Sequence, residues 1–519
     1  MALTSAVLLV LSFPTFSQPW CAWVALVPWL LLLRSCSARA ALRWSWLIGL
    51  MFFLGSMEWF VRLSAIAGPL TLVGWVALCA YLALYFGLFG WVVARGGREM
   101  WWAPWRWLVV PMVWVALEYL RSHVLSGLGW NLLAYGQTPY RPLIQCADLT
   151  GAWGISFLVV LVNAALARLL MPGVLRARAI FGVAGAVLCL LAACGYGDWR
   201  VAHLSASAAV RVAVVQGNIP QEHKWDAAYE RAILEQYAAL TRAAAETNPD
   251  LIVWPETATP GYVGIDEDLT QTVLRLAREV RRPLLIGSPT ATIQPSGAQY
   301  HNSAILIEPT GRLAAQYHKV HLVPLGEFVP FERYAPWLRS LLPPIGDFTA
   351  GQEYTVFETP MRNAEFGMRN GHPASRIPHP ALKFSALICF EDIFPSLARH
   401  FVQQGAQLLL VMTNDAWFGP SAAAYQHAQA STLRAVELRV PVARAANTGW
   451  SGCIDATGRW TGAVRDATGR ELFVAGTHTC ELPLGYGATL YQRWGDWFAV
   501  LCLALPLAIF FLPRTLRRI

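Results

Sequence analysis

Three short segments supply the residue types of a covalent, nucleophilic site. Cys389 stands in Leu387-Ile388-Cys389-Phe390-Glu391-Asp392, Glu256 in Val253-Trp254-Pro255-Glu256-Thr257, and Lys319 in Tyr317-His318-Lys319-Val320-His321. A thiol attacks only as thiolate, and an unassisted one has a pKa of about 8.5. A carboxylate held beside it can take that proton and later return it to a leaving group. An ammonium can hold the oxyanion of a tetrahedral intermediate. Each residue also has a plainer reading: a buried structural cysteine, a solvated acid at a strand end, a lysine facing water. Against that, Cys389 closes the apolar run Ala386-Leu387-Ile388, where a strand should give way to a loop. Glu256 closes another such run, with Pro255 taking the chain out of regular pairing. Tyr317, Val320 and Leu322 argue for a half-buried position at Lys319.

The elements that must position these side chains lie between residues 198 and 493, roughly 300 residues and enough for one substantial domain. Apolar or β-branched runs recur at Arg211–Val215, Leu251–Trp254, Pro283–Ile286, Ser303–Ile307, Leu382–Cys389, Leu408–Met412 and Val440–Ala445. Helical spacing appears at Ala227–Thr247 (Ile233, Tyr237, Leu240) and at Leu269–Val280. Strands alternating with helices point to an α/β domain with a mostly buried sheet. Glu358–His379, rich in Pro, Arg, Asn and Gly, reads as an exposed loop ahead of the cysteine strand.

The rest of the chain has a different composition. Overall, 55% of residues are hydrophobic and only 14% charged, outside the usual globular range. A membrane helix needs about 20 apolar residues. Eight blocks are candidates: Leu3–Ser17, Trp20–Leu33, Trp44–Val61, Pro69–Val93, Trp107–Leu120, Gly151–Leu170, Ala179–Tyr196 and Trp494–Leu512. Pro14, Pro19 and Pro28 leave open whether the first two form one kinked or re-entrant unit. The expected division is a membrane domain over 1–197, an α/β domain over 198–493, and a closing membrane helix with a basic tail over 494–519.

Loop charge orients the spans. Arg34, Arg39 and Arg43, then Arg95, Arg98 and Arg106, then Arg168, Arg176 and Arg178, and finally Arg514, Arg517 and Arg518 follow alternate spans. The intervening short loops hold only Arg62, Arg121 and Arg141. The positive-inside rule then places both termini in the cytoplasm and 198–493 across the membrane. The net charge of +8 is therefore a topology signal, with no implication of nucleic acid. Glu118, close to the outer end of the fifth block, is expected to pair with Arg121 or to snorkel. Seven of the ten cysteines fall in or beside the apolar blocks, leaving Cys389, Cys453 and Cys480 in the outer domain. In an oxidising space these permit one disulfide, for which Cys453–Cys480 is the pair expected, with Cys389 free. No Cys/His spacing suggests a metal, and no cofactor is expected.

The three segments resemble the nitrilase (carbon-nitrogen hydrolase) superfamily, which uses a Glu-Lys-Cys triad in this chain order on an α-β-β-α sandwich. The likeness extends through Val320-His321-Leu322-Val323-Pro324-Leu325-Gly326-Glu327-Phe328-Val329-Pro330, Thr413-Asn414-Asp415-Ala416-Trp417-Phe418-Gly419, Gln426-His427 and Arg444-Ala445-Ala446-Asn447-Thr448-Gly449. With the apolar blocks included, nearly the whole chain resembles the apolipoprotein N-acyltransferase family within it. The resemblance implies Cys389 as nucleophile, Glu256 as general base and Lys319 as oxyanion partner. It implies that Glu327 orients Lys319, that Glu391 supports the site, and that Trp225 lies near its mouth. Phe390 stands where the family has a tyrosine, so any hydroxyl role there is absent. Trp450 replaces a smaller aliphatic residue.

What the family does would follow: acyl transfer from a membrane phospholipid to the N-terminal amine of a diacylated apolipoprotein, through a thioester, as the last step of lipoprotein maturation. The expected setting is the bacterial inner membrane, multi-pass, with a periplasmic catalytic domain in a monomer. Exposed Tyr334 and Trp337 are candidate lipid guides. Two rivals remain at this level: an amidase or nitrile hydrolase merely tethered to the membrane, and a transporter or lipoprotein-binding protein carrying a dead domain. Eight blocks exceed what a tether needs, and the intact triad weighs against a dead domain.

Overall fold

The computed structural model describes residues 1–511 apart from 104, 296, 331, 333, 335, 336, 338, 340–346 and 362–380. The basic tail at Arg514, Arg517 and Arg518 falls outside the described residues, as does the expected loop Glu358–His379 from residue 362 onward; Glu358, Thr359 and Pro360 form part of a strand rather than a loop. Contacts divide the chain into two units. One comprises Met1–Val61, Thr71–Leu204 and Ala488–Ile519; the other comprises Arg62–Leu70 and Ser205–Gly487.

In the first unit, Leu70–Arg95, Ala152–Leu170 and Arg176–Ala202 are long and apolar enough to cross a membrane. Ala38–Ser56 qualifies as a fourth only as a bent pair with Phe60–Ile66, whose residues from Arg62 on belong to the second unit, and Ala2–Leu11, Pro19–Leu33 and Trp497–Ala508 are shorter apolar helices. Among the described residues, the eight apolar blocks thus hold three or four helices long enough to span by length and composition, plus shorter pieces. Proline explains the first two blocks. The opening helix stops at Leu11 ahead of Pro14, and Pro19 and Pro28 each sit in the first turn of a new short helix. Aromatic rings pack the interior: Trp29 stacks on Phe86 at 5.4 Å and meets Trp114 edge-on at 6.0 Å. Glu118 and Arg121 are both buried, so neither snorkels. Backbone satisfies much of their polarity: Leu133 N–H donates to Glu118 at 2.9 Å, and Arg121 donates to the carbonyls of Trp130 and Leu128 at 2.7 and 3.1 Å.

The second unit is built on two six-stranded sheets. The first has the order β12-β1-β2-β3-β4-β5, with β1 Ala208–Gln216, β2 Leu251–Val253, β3 Leu284–Gln294, β4 Gly297–Ile307, β5 Leu313–His318 and β12 Gly476–Leu484. The second has the order β11-β10-β9-β8-β7-β6, with β6 Phe357–Pro360, β7 Ala381–Ile388, β8 Leu408–Thr413, β9 Val442–Ala446, β10 Gly452–Ile454 and β11 Trp460–Ala463. Each sheet has a parallel centre, β1-β2-β3 and β7-β8-β9, flanked by antiparallel strands.

Period-two burial assigns the faces. Ala213, Val215, Ile252, Trp254, Leu284 and Ile286 pack under the Glu230–Glu246 and Glu267–Val280 helices, through Ile233, Tyr237, Leu269 and Val273. The alternate residues Val212, Val214, Val253 and Leu285 are equally buried on the other face, where β1 meets β9 and β4 meets β7. The result is the α-β-β-α sandwich expected of this domain. A disulfide, Cys453–Cys480, joins β10 of one sheet to β12 of the other. It closes a loop with a sequence separation of 27, and such a crosslink stabilises by about 3–4 kcal/mol. Reduction under native conditions is expected to lower the thermal midpoint of this unit by about 5–10 °C. An unchanged midpoint would mean that the sheets hold together without the bridge.

Candidate active site

All three segments end at the same edge of the sandwich because the strands that carry them are parallel or adjacent. Glu256 follows β2, and the next residue, Thr257, turns in the left-handed region at φ 43°. That turn lies against β3, where only glycine fits: a Cβ on Gly287 would stand 2.1 Å from the Pro255 carbonyl oxygen. Lys319 follows β5, with its backbone N–H on the Asn302 carbonyl of β4 at 2.8 Å. Cys389 follows β7 and opens the short 3₁₀ turn Cys389–Ile393. Its own φ is 52°, a strained value for a residue with a side chain, and such strain gathers at functional sites.

Glu256 and Lys319 are buried and directly linked. The ammonium of Lys319, 1% exposed, lies 3.5 Å from Glu256 and 2.9 Å from Glu327. Asn302 Nδ2 donates to both carboxylates, at 2.7 Å to Glu256 and 2.9 Å to Glu327. The backbone N–H of Asn414, just after β8, donates to the second oxygen of Glu256 at 2.9 Å. Burial alone would push the Lys319 ammonium down, but Glu327 and Glu256 outweigh it and hold the group above its ordinary value. It is therefore a fixed cation.

Cys389, partly exposed, titrates in the field of these groups. Burial pushes its thiol up, the Glu256 carboxylate pushes it further, and Lys319 pulls it down. The thiol is therefore held neutral in the field of the Glu256 carboxylate.

Glu391 ties the lysine and cysteine segments together. Its Oε1 accepts from the Tyr317 hydroxyl at 2.8 Å and from the backbone N–H groups of Val320 and His321 at 2.8 and 3.0 Å. Its Oε2 accepts from Ile388 N–H at 2.8 Å, immediately before Cys389. Burial raises this carboxyl to about 7, opposed by the hydrogen bonds from Ile388 and His321. Phe390 packs edge-on against Phe394 at 5.1 Å, beside the His321 ring. Trp225 is 51% exposed on the loop after β1. Trp450 is fully buried against Trp460 at 4.2 Å, which makes it a packing residue.

Several residues at this edge carried no assigned role in the sequence. Asn302 lies in β4 with nothing to distinguish it from its neighbours. Lys224, beside Trp225, is 2% exposed, and its ammonium donates to the Glu256 carbonyl oxygen at 3.2 Å. Asn414 Nδ2 reaches Gln221 on the same loop at 2.8 Å. Asn447 grips that loop too, accepting from Ile219 N–H at 2.9 Å and donating to its carbonyl at 2.8 Å. His427 lies 2.8 Å from Asp392 and 3.2 Å from the Cys389 carbonyl, while Arg444 bonds Asp392 at 3.0 Å. Asn414, His427, Arg444 and Asn447 all fall in motifs noted above, so their positions were visible though their contacts were not. Among the described residues no group of three His, Cys, Asp or Glu side chains is arranged to hold a metal.

Two family profiles match this chain: "Apolipoprotein N-acyltransferase N-terminal domain" over residues 5–165 and "Carbon-nitrogen hydrolase" over residues 211–476. Curated relatives agree along nearly its full length. An apolipoprotein N-acyltransferase of Geobacter metallireducens is 36% identical, covering 97% of this chain and 93% of its own. That of Chlorobaculum tepidum is 31% identical over 97% of this chain and 94% of its own. Among solved structures, an amidase of the nitrilase superfamily from Nesterenkonia aligns at 18% identity and a TM-score of 0.35, covering 54% of this chain and 93% of its own.

Proposed function

This chain belongs to the apolipoprotein N-acyltransferase family, and from that premise we propose that it moves a fatty acyl chain from a membrane phospholipid to the N-terminal amine of an S-diacylglyceryl cysteine in an apolipoprotein. The observation that carries this reading is the cysteine at a strained turn in the field of a base and a fixed cation. Cys389 Sγ attacks the ester carbonyl as its proton passes to Glu256, and Lys319 with backbone amides holds the oxyanion. The ester C–O bond then breaks, the lysophospholipid alkoxide takes the proton from Glu256, and a thioester remains. The acceptor amine attacks that thioester, Glu256 accepts a proton from the nitrogen, and the departing thiolate recovers it. Glu327 positions Lys319, and Glu391 positions both Lys319 and Cys389. Trp225 borders the mouth, and Phe390 contributes an apolar face.

The apolar helices support a multi-pass membrane setting, where both lipid-bearing substrates can stay in the bilayer. The Cys453–Cys480 disulfide supports an oxidising compartment for the catalytic unit, consistent with a periplasmic site and cytoplasmic termini. The functional unit is taken as a monomer, with no cofactor.

The buried Lys224 gives a pH dependence. Burial lowers its ammonium to about 8, against the pull of Glu256 and Cys389. The cation is present below that value and lost as pH rises through it, so kcat is expected to fall on an alkaline limb near pH 8. Lys224→Met should lack that limb, and an identical limb in the variant would assign it elsewhere.

Phospholipid labelled in its acyl chain, offered with a diacylated lipopeptide, tests the reaction. Labelled amide at the peptide N-terminus is expected. Labelled free fatty acid alone, with the lipopeptide unmodified, would favour the tethered hydrolase instead.

A further inference from the structure

We propose that a groove between the Ala152–Leu170 and Arg176–Ala202 helices binds one anionic phospholipid, separate from any acyl donor. The groove encloses about 370 Å³ and is lined by Arg168, Arg178, Trp107, Gly182, Gly185 and Cys189 among others. That volume is in the usual range for a small-molecule site. Arg178, Phe181, Gly182, Gly185, Ala186 and Cys189 follow the spacing of one helical face, so the groove is a continuous track down the Arg176–Ala202 helix. From Arg178 to Cys189 the track is about 16 Å long.

Charge is concentrated at one end of it. Arg168 is 2% exposed, and among the described residues every hydrogen bond it makes is to a neutral carbonyl: Trp101 at 2.8 Å, and Arg178 and Ala103 each at 3.4 Å. Its guanidinium also lies over the Trp107 ring at 5.5 Å. Among the described residues neither Arg168 nor Arg178 has a carboxylate partner. The same helix is treated differently at its other end, where Arg200 pairs with Asp148 at 2.9 Å. An unpaired buried cation is costly, and a phosphate would supply both countercharge and a bidentate acceptor.

Beyond the two arginines the track becomes small and open. A Cβ on Gly182 would touch Arg168 Nη1 and Trp107, each at 3.4 Å, so this glycine forms the floor beside the charge. A Cβ on Gly185 would meet nothing within 4 Å, so that position opens into the groove. Headgroup at the arginines and acyl chain over Gly185 and toward Cys189 is the arrangement a phospholipid fits, and the position of the cations at helix ends matches headgroup depth. A docked helix from a second copy would suit the small residues but would leave the cations unpaired.

The test uses the full chain in neutral detergent micelles and native mass spectrometry, with phosphatidylglycerol or phosphatidylcholine of matched chains. One phosphatidylglycerol is expected to stay bound per chain, and phosphatidylcholine is expected to be lost at the same activation energy. Arg178→Gln should lower phosphatidylglycerol occupancy about tenfold, as for one lost charge-assisted contact. Gly185→Leu should fill the track and lower occupancy further, with no clash against the protein. Bound phosphatidylglycerol should also slow alkylation of the exposed Cys189, read by peptide mapping. Equal retention of the two lipids, retention unchanged in both variants, or a dimer that Gly185→Leu dissociates would each overturn the proposal.

Discussion

Cys389→Ala is expected to reduce acyl transfer by on the order of 10⁴-fold or more, the scale seen when a covalent nucleophile is removed. Nothing near it can substitute. Glu256 is committed to Asn302, Asn414 and Lys319, and a carboxylate attacking the ester would leave the base position empty. The substitution should spare the fold, because an alanine side chain faces no more backbone strain in this left-handed turn than Cys389 already bears, and Glu391 still ties Ile388 to the lysine segment. Stability is therefore expected to change by no more than about 1 kcal/mol, and KM for phospholipid should stay near its original value. Cys389→Ser gives the finer test: its hydroxyl is a far weaker acid than a thiol, so Glu256 must work harder, and the serine enzyme should remain crippled. Substantial transfer by either variant would remove Cys389 from the reaction.

Lys319→Met should cost both activity and stability. Loss of one oxyanion donor lowers kcat by about 10²–10³-fold. In the folded state the ammonium also lies between Glu256 and Glu327. Removing it leaves two buried carboxylates sharing only Asn302, and breaking a buried pair from one side costs about 3–5 kcal/mol. Denaturant titration and kcat, measured on the same preparation, separate the two effects. Glu327→Gln should recover part of the lost stability in the Lys319→Met background, by removing one of the stranded charges, and should recover little activity. A Lys319→Met enzyme of unchanged stability and activity would contradict the linked arrangement of Glu256, Lys319 and Glu327.

Much of this cluster was legible because Cys389, Glu256 and Lys319 stand at the ends of ordinary strands. The run into Cys389 and the run into Glu256 are apolar strands of the central parallel sheets, and such strands read clearly. The Ala423–Leu438 helix was not legible. It is buried on all sides, so no polar face gives it a helical period, yet it carries His427 against the Cys389 carbonyl. Short edge strands such as β10 and β11 likewise lack the length for a pattern. Lys224 was hidden by its surroundings in Gln221-Glu222-His223-Lys224, a polar run that looks solvated. The grip of Asn414 and Asn447 on that loop is what holds it down. In the first unit, apolar content marked the blocks, while proline broke the first two into short helices.

The central claim is that acyl transfer passes through a thioester on Cys389. The direct measurement is intact-protein mass spectrometry after incubation with phospholipid and no acceptor. One added acyl mass per chain is expected, mapped to the Cys389 peptide, removed by neutral hydroxylamine and discharged by a diacylated lipopeptide. Transfer to that lipopeptide with no adduct at any time, or with an adduct that survives in Cys389→Ala, would contradict it.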